Sequence, residues 1–254
     1  MSRNAPRPDL GLLRIGTAGW TVPRVHAEHF PAEGSQLARY AGVFSAAEIN
    51  SSFYRSHRPA TYARWAASVP ADFRFAVKLP RAITHERRLV DVAEPLEAFV
   101  AETSALGEKR GPLLVQLPPS FAYDPAVVQP FLALLRERWS GAVVCEPRHP
   151  TWFTAEADDA LRSFAVARVA ADPARVEAAA KPGGWAGLIY YRLHGSPQMY
   201  FSGYEPAYLD ALARALLEHA GSGVPAWCIF DNTIRGEAAA NAVATLRRME
   251  ALAG

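Results

Sequence analysis

Eight short runs of apolar and β-branched residues recur along the 254-residue chain, and their regular spacing limits the folds that the chain can adopt. Each run is bounded by glycine, proline or polar residues, as buried strands are. The starts of successive runs are 22 to 39 residues apart, which leaves room for one crossover helix and two loops. The runs cover residues 13–16, 45–49, 74–78, 113–117, 142–146, 166–170, 188–194 and 226–231.

The segments between the runs have helical character. Pro59, Pro95, Pro125 and Pro206 begin four of them, and proline suits the first turn of a helix because its missing donor is not needed there. Residues 236–253 form a further, alanine-rich helical segment. Continuous apolar strands that alternate with helices favour a parallel sheet that is covered by helices. Eight such units predict an α/β fold in which the chain closes into a single (β/α)8 TIM barrel.

An open, doubly wound sheet is the competing architecture. It is typical of such sheets to carry Gly-x-Gly-x-x-Gly after the first strand, whereas here the sequence reads Gly16-Thr17-Ala18-Gly19-Trp20. There is no internal repeat and no low-complexity linker. We therefore expect residues 1–11 to be a flexible N-terminal segment and residues 12–254 to form one barrel domain.

Composition excludes several classes of protein. The 27 basic and 25 acidic residues give a net charge of +2, which is not the footprint of a nucleic-acid coat or a membrane-surface protein. Only three basic residues are lysines, Lys78, Lys109 and Lys181, and the other 24 are arginines. Cys145 and Cys228 lie in apolar runs and are expected to be buried thiols in a reducing compartment. We expect a cytoplasmic protein without a membrane segment, either a monomer or a small homo-oligomer.

Polar side chains follow the predicted strands at their carboxyl ends, where the active sites of TIM barrels lie. Any one of them could be a buried polar residue that its neighbours satisfy. Together they are harder to explain in that way, because charged groups are seldom buried unless they are paired. The charged members of the set are Glu48, Lys78, Glu146, Arg192 and Asp231. Their convergence on one mouth favours a functional cleft.

Two chemistries remain open for this cleft. Lys78, Arg148 and Arg192 could hold a phosphate or a carboxylate, since arginine offers a two-pronged donor for both anions. Alternatively, Glu48, Glu146, His194 and Asp231 are ligand types that could bind a divalent metal. Lys78 and Arg192 would neutralise the same carboxylates, so we expect no cofactor, and the metal is the less favoured alternative.

Aromatic residues in the predicted loops after the strands offer walls for a ligand. They include Trp20, Tyr54, Trp152, Tyr200 and Tyr204, and the glycine-containing segment 199–204 reads as ligand contact or as a mobile lid. The chain has no Walker loop, no Gly-x-Ser-x-Gly elbow, no His-Glu-x-x-His pair and no Cys-x-x-Cys. The sequence therefore does not support a P-loop NTPase, a serine hydrolase or a zincin.

The same rim residues resemble those of the YecE-like family, in order from about residue 13 to residue 250. The matching segments are Gly16 to Trp20, Glu48 to Tyr54, Lys78 with Thr84-His85, Gln116-Leu117-Pro118-Pro119, Glu146-x-Arg148-His149 with Trp152, Tyr191-Arg192-x-His194-Gly195, and Phe230-Asp231-Asn232-Thr233. Two positions depart from the family pattern, Ala18 where serine is usual and Asp231 where asparagine is frequent. The resemblance implies a TIM barrel, similar to the xylose-isomerase and apurinic-endonuclease barrels, and it supplies no reaction.

The leading hypothesis is an enzyme that performs acid–base chemistry on a small anionic substrate, phosphorylated or sugar-like, at the barrel rim. Whether it is a hydrolase, a lyase or an isomerase stays open. The alternative is a protein that binds or processes nucleic acid through loop aromatics and Arg81, Arg87, Arg88 and Arg148, with a metal by analogy to the endonuclease barrels. The predicted catalytic residues are Glu48, Glu146, His194 and Asp231. The predicted substrate contacts are Thr17, Trp20, Asn50, Tyr54, Lys78, His85, Gln116, Arg148, His149, Trp152, Arg192, Tyr200, Tyr204 and Asn232.

Overall fold

The structure, a computed structural model, describes residues 10–253, and ten strands of these residues form one sheet. The strands are β1 (Leu13–Ala18), β2 (Ala46–Ile49), β3 (Arg74–Lys78), β4 (Arg110–Gln116), β5 (Val143–Glu146), β6 (Val166–Arg168), β7 (Ala170–Asp172), β8 (Gly183–Gly184), β9 (Ile189–Leu193) and β10 (Ala226–Phe230). Their order is β7-β9-β10-β1-β2-β3-β4-β5-β6-β8. Every pairing is parallel except that of β6 with β8.

The sheet is a nearly closed barrel, because its two ends come from one stretch of chain. β6 pairs with β5, β7 pairs with β9, and only Val169 separates β6 from β7. The Val169 amide donates to the Cys145 carbonyl at 2.9 Å, so pairing with β5 continues across the break. The eight predicted runs each contain a strand. The count of eight differs from the ten observed because the run 166–170 is divided and β8 is additional.

Seven α helices surround the sheet in residues 10–253: α1 (Gln36–Ala41), α2 (Pro59–Ala67), α3 (Ala93–Thr103), α4 (Pro125–Arg138), α5 (Ala155–Ser163), α6 (Pro206–Gly221) and α7 (Glu237–Ala253). The expected eighth helix, between β7 and β9, is replaced by the 3-10 turn Glu177–Ala180 and by β8. Pro182, Gly183 and Gly184 interrupt this segment, and such residues disfavour a helix interior. Proline begins α2, α4 and α6 as predicted, and the Asp124 carboxylate caps α4 by accepting from the Ala126 amide at 2.9 Å.

A small apolar cluster fills the inside of the barrel, separate from the larger core between sheet and helices. Its members include Ala46, Ala76, Val144, Tyr190 and Ile229. Side chains two residues apart in a strand point to the same face. The residues two positions later are Glu48, Lys78, Glu146, Arg192 and Asp231. Strand geometry therefore places a charged layer directly above an apolar layer.

Residues 1–9 and 254 lie outside the described residues, and with them most of the predicted N-terminal segment 1–11. Leu10–Leu12 form a 3-10 turn that leads into β1. No helix within residues 10–253 combines the length and the apolar character needed to span a bilayer.

Candidate functional site

The charged layer closes the carboxyl-terminal mouth of the barrel, and Arg192 lies at its centre. The Arg192 guanidinium donates from Nε and Nη2 to the two carboxylate oxygens of Glu48, at 2.9 and 2.6 Å. It also donates from Nη1 to Glu146 at 2.7 Å and from Nη2 to Asp231 at 3.1 Å. The side chains of Arg192, Glu48 and Glu146 have no solvent exposure. Arg192 therefore joins three strands and has no free face for a substrate.

Glu146 is held in its ionised form by the cations around it. One carboxylate oxygen accepts from Arg192, and the other lies against Arg148 and His194. Burial alone would raise the pKa of Glu146, but the charges of Arg148, Arg192 and His194 hold that pKa well below its ordinary value. Glu146 is consequently a fixed negative charge and a weak base.

His194 lies between two carboxylates. Its Nδ1 is 3.0 Å from Asp231 Oδ2, and its Nε2 is 2.9 Å from Glu146 Oε1 and 2.8 Å from Arg148 Nη2. A doubly protonated ring would donate to both carboxylates, whereas a neutral ring would donate from Nδ1 and accept from Arg148 at Nε2. These two arrangements differ by one proton and need no movement of heavy atoms. In both arrangements Nδ1 donates to Asp231, so His194 fixes the position of that carboxylate.

The layer below supports this network. The Tyr190 hydroxyl donates to Glu48 at 3.2 Å, and the Tyr190 ring stacks on Trp227 at 6.0 Å. Burial and the Glu48 charge raise the pKa of Tyr190, so the hydroxyl stays protonated and remains a donor. Our sequence reasoning missed Tyr190. The two-residue alternation Tyr190, Arg192, His194 in β9 is the signal that would have found it.

Lys78, at the end of β3, faces a cavity above the charged layer. Its side chain is 5% exposed, and its ammonium lies 4.1 Å from the centre of the Phe53 ring. The ammonium makes no hydrogen bond and no ion pair with the residues described. Burial and the nearby Arg192 lower the pKa of Lys78 to about 8, although Glu48, Asp231 and Glu146 act in the opposite direction. Lys78 is thus a largely buried cation that contacts the Phe53 ring and has no anionic partner among the described residues.

The cavity has a volume of about 210 Å³ and is lined by Asn50, Tyr54, Lys78, Tyr200, Asp231, Thr233 and Ile234. Asp231 Oδ2 is bound by His194 and Arg192, while within residues 10–253 its Oδ1 has no hydrogen-bond donor. Burial would raise the pKa of Asp231, but Arg192, the His194 hydrogen bond and Lys78 lower it. The cavity is therefore bordered by one carboxylate and one ammonium.

Tyrosines and an amide complete the cavity wall. The amide oxygen of Asn50 is buried without a hydrogen-bond partner among the described residues. Tyr54 is 67% exposed, whereas Tyr200 is 36% exposed and meets His194 edge-on at 5.6 Å. Burial raises the pKa of Tyr200, which keeps its hydroxyl protonated. Thr233 and Ile234 had not been selected from the sequence, although they directly follow the predicted rim residues Asp231 and Asn232.

His85 lies beside the cavity in the π-helical turn Ala82–Glu86. Its Nδ1 is 2.8 Å from the Thr84 hydroxyl, and its ring meets the Phe53 ring at 4.9 Å. Burial and Lys78 lower the pKa of His85. The Phe53 ring thus lies between the Lys78 ammonium and the His85 ring. The local backbone is also of a kind found at functional sites, since π-helical turns occur there frequently.

Several residues selected from the sequence lie away from this cavity. Trp20 packs on Trp65 and Phe75, and Trp152 is buried with its indole donating to the Phe121 carbonyl. The buried Tyr204 accepts from the Gly195 amide and donates to the Asp172 carbonyl. The Asn232 side-chain amide donates to the Ser202 carbonyl and to the side-chain oxygen of Asn241. The Thr17 hydroxyl donates to the Gly19 carbonyl and lies 3.1 Å from the Tyr40 hydroxyl. His149 Nδ1 lies 2.9 Å from the Thr151 hydroxyl. Gln116 is paired in register with Glu146 and does not line the cavity.

The carboxylates of the mouth are occupied by guanidinium groups, which leaves a divalent metal little open coordination there. Three potential ligands that lie within reach of one another are instead His26, Glu28 and His29, outside the mouth. The basic residues considered for nucleic acid are also engaged within the chain. Arg81 pairs with Glu86 at 3.0 Å, Arg87 donates to the Asp91 carbonyl, and Arg88 donates to Ser120.

A larger cavity, of about 510 Å³, lies at the amino ends of the strands, with Arg14, Arg74, Arg110 and three tryptophans in its wall. No carboxylate and no histidine belongs to the described lining of that cavity. The mouth therefore remains the place where a carboxylate and an amine border one open volume, with the His194 imidazole in contact with that carboxylate from behind.

Comparisons with known proteins agree with this fold. YecE of Escherichia coli K12, which bears the name UPF0759 protein YecE, is 28% identical over 143 residues, or 56% of the chain and 50% of YecE, so that the matched part spans about half of that relative. A DUF72 family protein from Enterococcus faecalis V583 has a TM-score of 0.77 at 19% identity, with 94% of this chain and 95% of that one covered. A DUF72 family protein from Thermotoga maritima MSB8 has a TM-score of 0.76 at 24% identity, with 94% and 99% covered.

At these identities the two structures show the fold alone. A family model described as "Protein of unknown function DUF72" matches residues 14–253, which is nearly the whole chain. The residues of the mouth lie within this range. The chain thus belongs to the DUF72, or YecE-like, family.

Proposed function

We propose that the protein is an enzyme that performs acid–base chemistry on a small anionic substrate, phosphorylated or sugar-like, in the cavity at the mouth of the barrel. The observation that carries this proposal is the Lys78 ammonium, which belongs to a side chain that is 5% exposed and borders the cavity without an anionic partner in contact among the described residues. A buried charge is costly unless it is paired. A phosphate or carboxylate group of a substrate would supply the missing partner.

Below the cavity, Arg192 and its carboxylates act as a fixed frame. Arg192 uses four of its five N–H donors on these carboxylates and has no solvent exposure, so we assign Arg192 and Glu48 to positioning and not to substrate contact. Pre-organised charges of this kind stabilise charge that develops during a reaction. Asp231 connects this frame to the cavity. Its Oδ2 is bound by Arg192 and His194, while its Oδ1 is open to the substrate.

Two groups are proposed to move protons. Asp231 Oδ1 accepts a proton from the substrate. His194 Nδ1, which lies 3.0 Å from Asp231 Oδ2, holds this carboxylate in position. Lys78 exchanges its proton near neutral pH because of its lowered pKa. The Tyr200 hydroxyl donates a hydrogen bond to the bound substrate. Glu146 remains ionised throughout and balances Arg148 and Arg192.

We also propose a barrel arrangement for the sheet and a cytoplasmic location for the protein. We count residues 166–172 as a single barrel strand, so that eight strands surround the rim in one domain, as in a (β/α)8 barrel in which one of the eight units has no α helix. Cys145 and Cys228 are buried free thiols, which supports a location in the reducing cytoplasm.

A substrate screen tests this function. Small phosphorylated and carboxylated metabolites would be incubated with the purified protein and followed by mass spectrometry. We expect at least one to be converted, and we expect Asp231→Asn and Lys78→Met to abolish conversion. Lys181→Met is the matched control, since Lys181 is exposed and pairs with Glu177 on the surface. The proposal fails if no metabolite is converted and crystals soaked in phosphate or acetate show no anion in the cavity.

A further inference from the structure

Lys78 has the surroundings of a reactive amine. Its side chain is nine-tenths buried, its nitrogen lies over the Phe53 ring, and it borders the cavity of about 210 Å³. The hydroxyl of Ser52 fixes the base of this residue, because it shares its one proton between the Lys78 carbonyl at 2.7 Å and the Ile49 carbonyl at 2.8 Å. The amine is therefore held on a rigid strand end and has access to a ligand-sized space.

Burial also affects how much of this amine is available for reaction. The pKa of about 8 means that roughly one Lys78 side chain in ten is neutral at pH 7. An ordinary exposed lysine, with a pKa near 10.4, is neutral in only about one case in 2,000 at that pH. Desolvation beside a second cation is an established way to activate a lysine nucleophile.

We propose that Lys78 is a nucleophile that forms an imine with a small aldehyde or ketone bound in the cavity, which names the substrate class of the proposed function and rests on it. The neutral amine attacks the carbonyl carbon, and the carbonyl electron pair moves to oxygen. A proton passes from nitrogen to that oxygen to give a carbinolamine. Protonation of the hydroxyl then expels one water and leaves the protonated imine, so no oxidant or reductant is needed.

The groups around Lys78 match the proton movements of this step. Asp231 Oδ1 is open to the cavity and can carry the proton between nitrogen and oxygen. His194 Nδ1, 3.0 Å from Asp231 Oδ2, holds this carboxylate in place. The Tyr200 hydroxyl and the unpartnered Asn50 amide offer hydrogen bonds to a hydroxyl beside the carbonyl. The cavity of about 210 Å³ has room for the carbonyl end of a small substrate.

The chemical identity of residue 78 agrees with this role. Lysine provides only three of the 27 basic residues, and the other 24 are arginines. An arginine would satisfy a purely electrostatic role at the mouth, yet its guanidinium remains protonated and does not form imines. The buried position that faces the cavity carries one of the three lysines.

Reductive trapping tests the proposal. The full-length protein would be exposed briefly to glycolaldehyde or to glyoxylate with cyanoborohydride, and each modified lysine would be identified by peptide mass spectrometry. We expect Lys78 to be labelled at least about tenfold faster than the exposed Lys181 and the partly buried Lys109, whose ammonium donates to the Pro70 carbonyl. The rate at Lys78 should rise with pH to a midpoint near 8.

Lysine-to-arginine variants show whether the label depends on Lys78 itself. Lys78→Arg retains the charge and should lose the label at that site. Should this variant not fold, the double variant Lys109→Arg/Lys181→Arg leaves Lys78 as the single lysine and should be labelled at the unchanged rate. Labelling of Lys78 no faster than of Lys109 and Lys181 overturns the proposal.

The two aldehydes separate this inference from the proposed function. Glyoxylate is an anion and glycolaldehyde is neutral. Faster trapping of glyoxylate supports both proposals. Equal trapping of the two at Lys78 supports the imine and removes the preference for an anion. Phosphate or acetate bound in the cavity without any trapping overturns the imine and leaves the anion site in place.

Discussion

Arg192 donates hydrogen bonds to three carboxylates although its side chain has no contact with solvent. A buried ion pair adds little stability over a well-packed apolar pair, because both ions lose their hydration. Removal of one partner is different, since it leaves the remaining charges buried without compensation. Arg192 is therefore important for stability mainly because its removal would leave buried carboxylates without a cation, and less because any one of its contacts is strong.

Replacement of Arg192 by methionine should lower the free energy of unfolding by about 3–5 kcal/mol, because Glu48 and Glu146 would lose their main cation. Urea denaturation at pH 7 measures this change. Arg138→Met is the control, since Arg138 pairs with Glu97 at the surface and such a pair contributes less than about 1 kcal/mol. A loss at Arg192 no larger than that at Arg138 would contradict the account of the network.

The loop between β9 and α6, residues 194–205, positions Tyr200 over the mouth. The Tyr200 amide donates to the His194 carbonyl at 2.5 Å, and Tyr200 itself adopts a φ of +69°, which is uncommon for a side chain of this size. Gly195 has a φ of +90°, and a Cβ there would lie 2.5 Å from the Ser202 carbonyl oxygen. The loop therefore depends on the missing side chain at residue 195.

Gly195→Ala should move this loop and displace Tyr200. We expect the protein to remain folded, with about 1–3 kcal/mol less stability, and we expect the rate of glyoxylate trapping at Lys78 to fall severalfold. Gly221→Ala in α6 is the matched control, because a Cβ there meets no atom within 4 Å. Equal trapping rates in the two variants would show that the loop does not shape the cavity.

At the scale of the whole molecule, the net charge of +2 conceals a local concentration of charge at one end of the barrel. Three carboxylates (Glu48, Glu146 and Asp231) face three cations (Lys78, Arg148 and Arg192) across the mouth, so the cluster is almost neutral. The arginines of the long rim segment are engaged within the chain. No extended basic surface follows from these contacts.

Binding to single-stranded nucleic acid should accordingly be weak and nearly insensitive to salt. Fluorescence anisotropy with a labelled oligonucleotide, between about 50 and 200 mM salt, measures this dependence. A loss of affinity by two or more orders of magnitude over that range would mean that several phosphates are contacted, and it would favour the nucleic-acid alternative over a small-molecule site.

The sequence predicted the strand positions and the polar mouth because both depend on local pattern. It did not predict the pairing of Arg192 with Glu48, which lie 144 residues apart and meet only when the barrel closes. For the same reason Arg192 was assigned to a substrate, whereas the structure surrounds it with carboxylates. Trp20, Trp152 and Tyr204 were assigned to the mouth because a loop position does not reveal which side the ring packs against.

The helix expected between β7 and β9 illustrates a second limit. Spacing alone favoured one helix per unit, yet Pro182, Gly183 and Gly184 disfavour a helix there, and Gly183–Gly184 pairs as a strand with β6. Local residue chemistry outweighed the regular period at this point. The division of residues 166–172 into two strands likewise has no counterpart in the apolar pattern of that run.

The protonation of Lys78 is the property on which the account of the mouth depends most. The chain has three lysines, so lysine labelled with carbon-13 at Cε gives three resolvable signals, and Lys78→Arg identifies the one that belongs to Lys78. Titration of the full-length protein by NMR should give Lys78 a midpoint near pH 8, and added phosphate should raise that midpoint because an anion stabilises the ammonium. A midpoint of about 10 or higher, unchanged by phosphate, would contradict both the buried, unpaired amine and the anion site built on it.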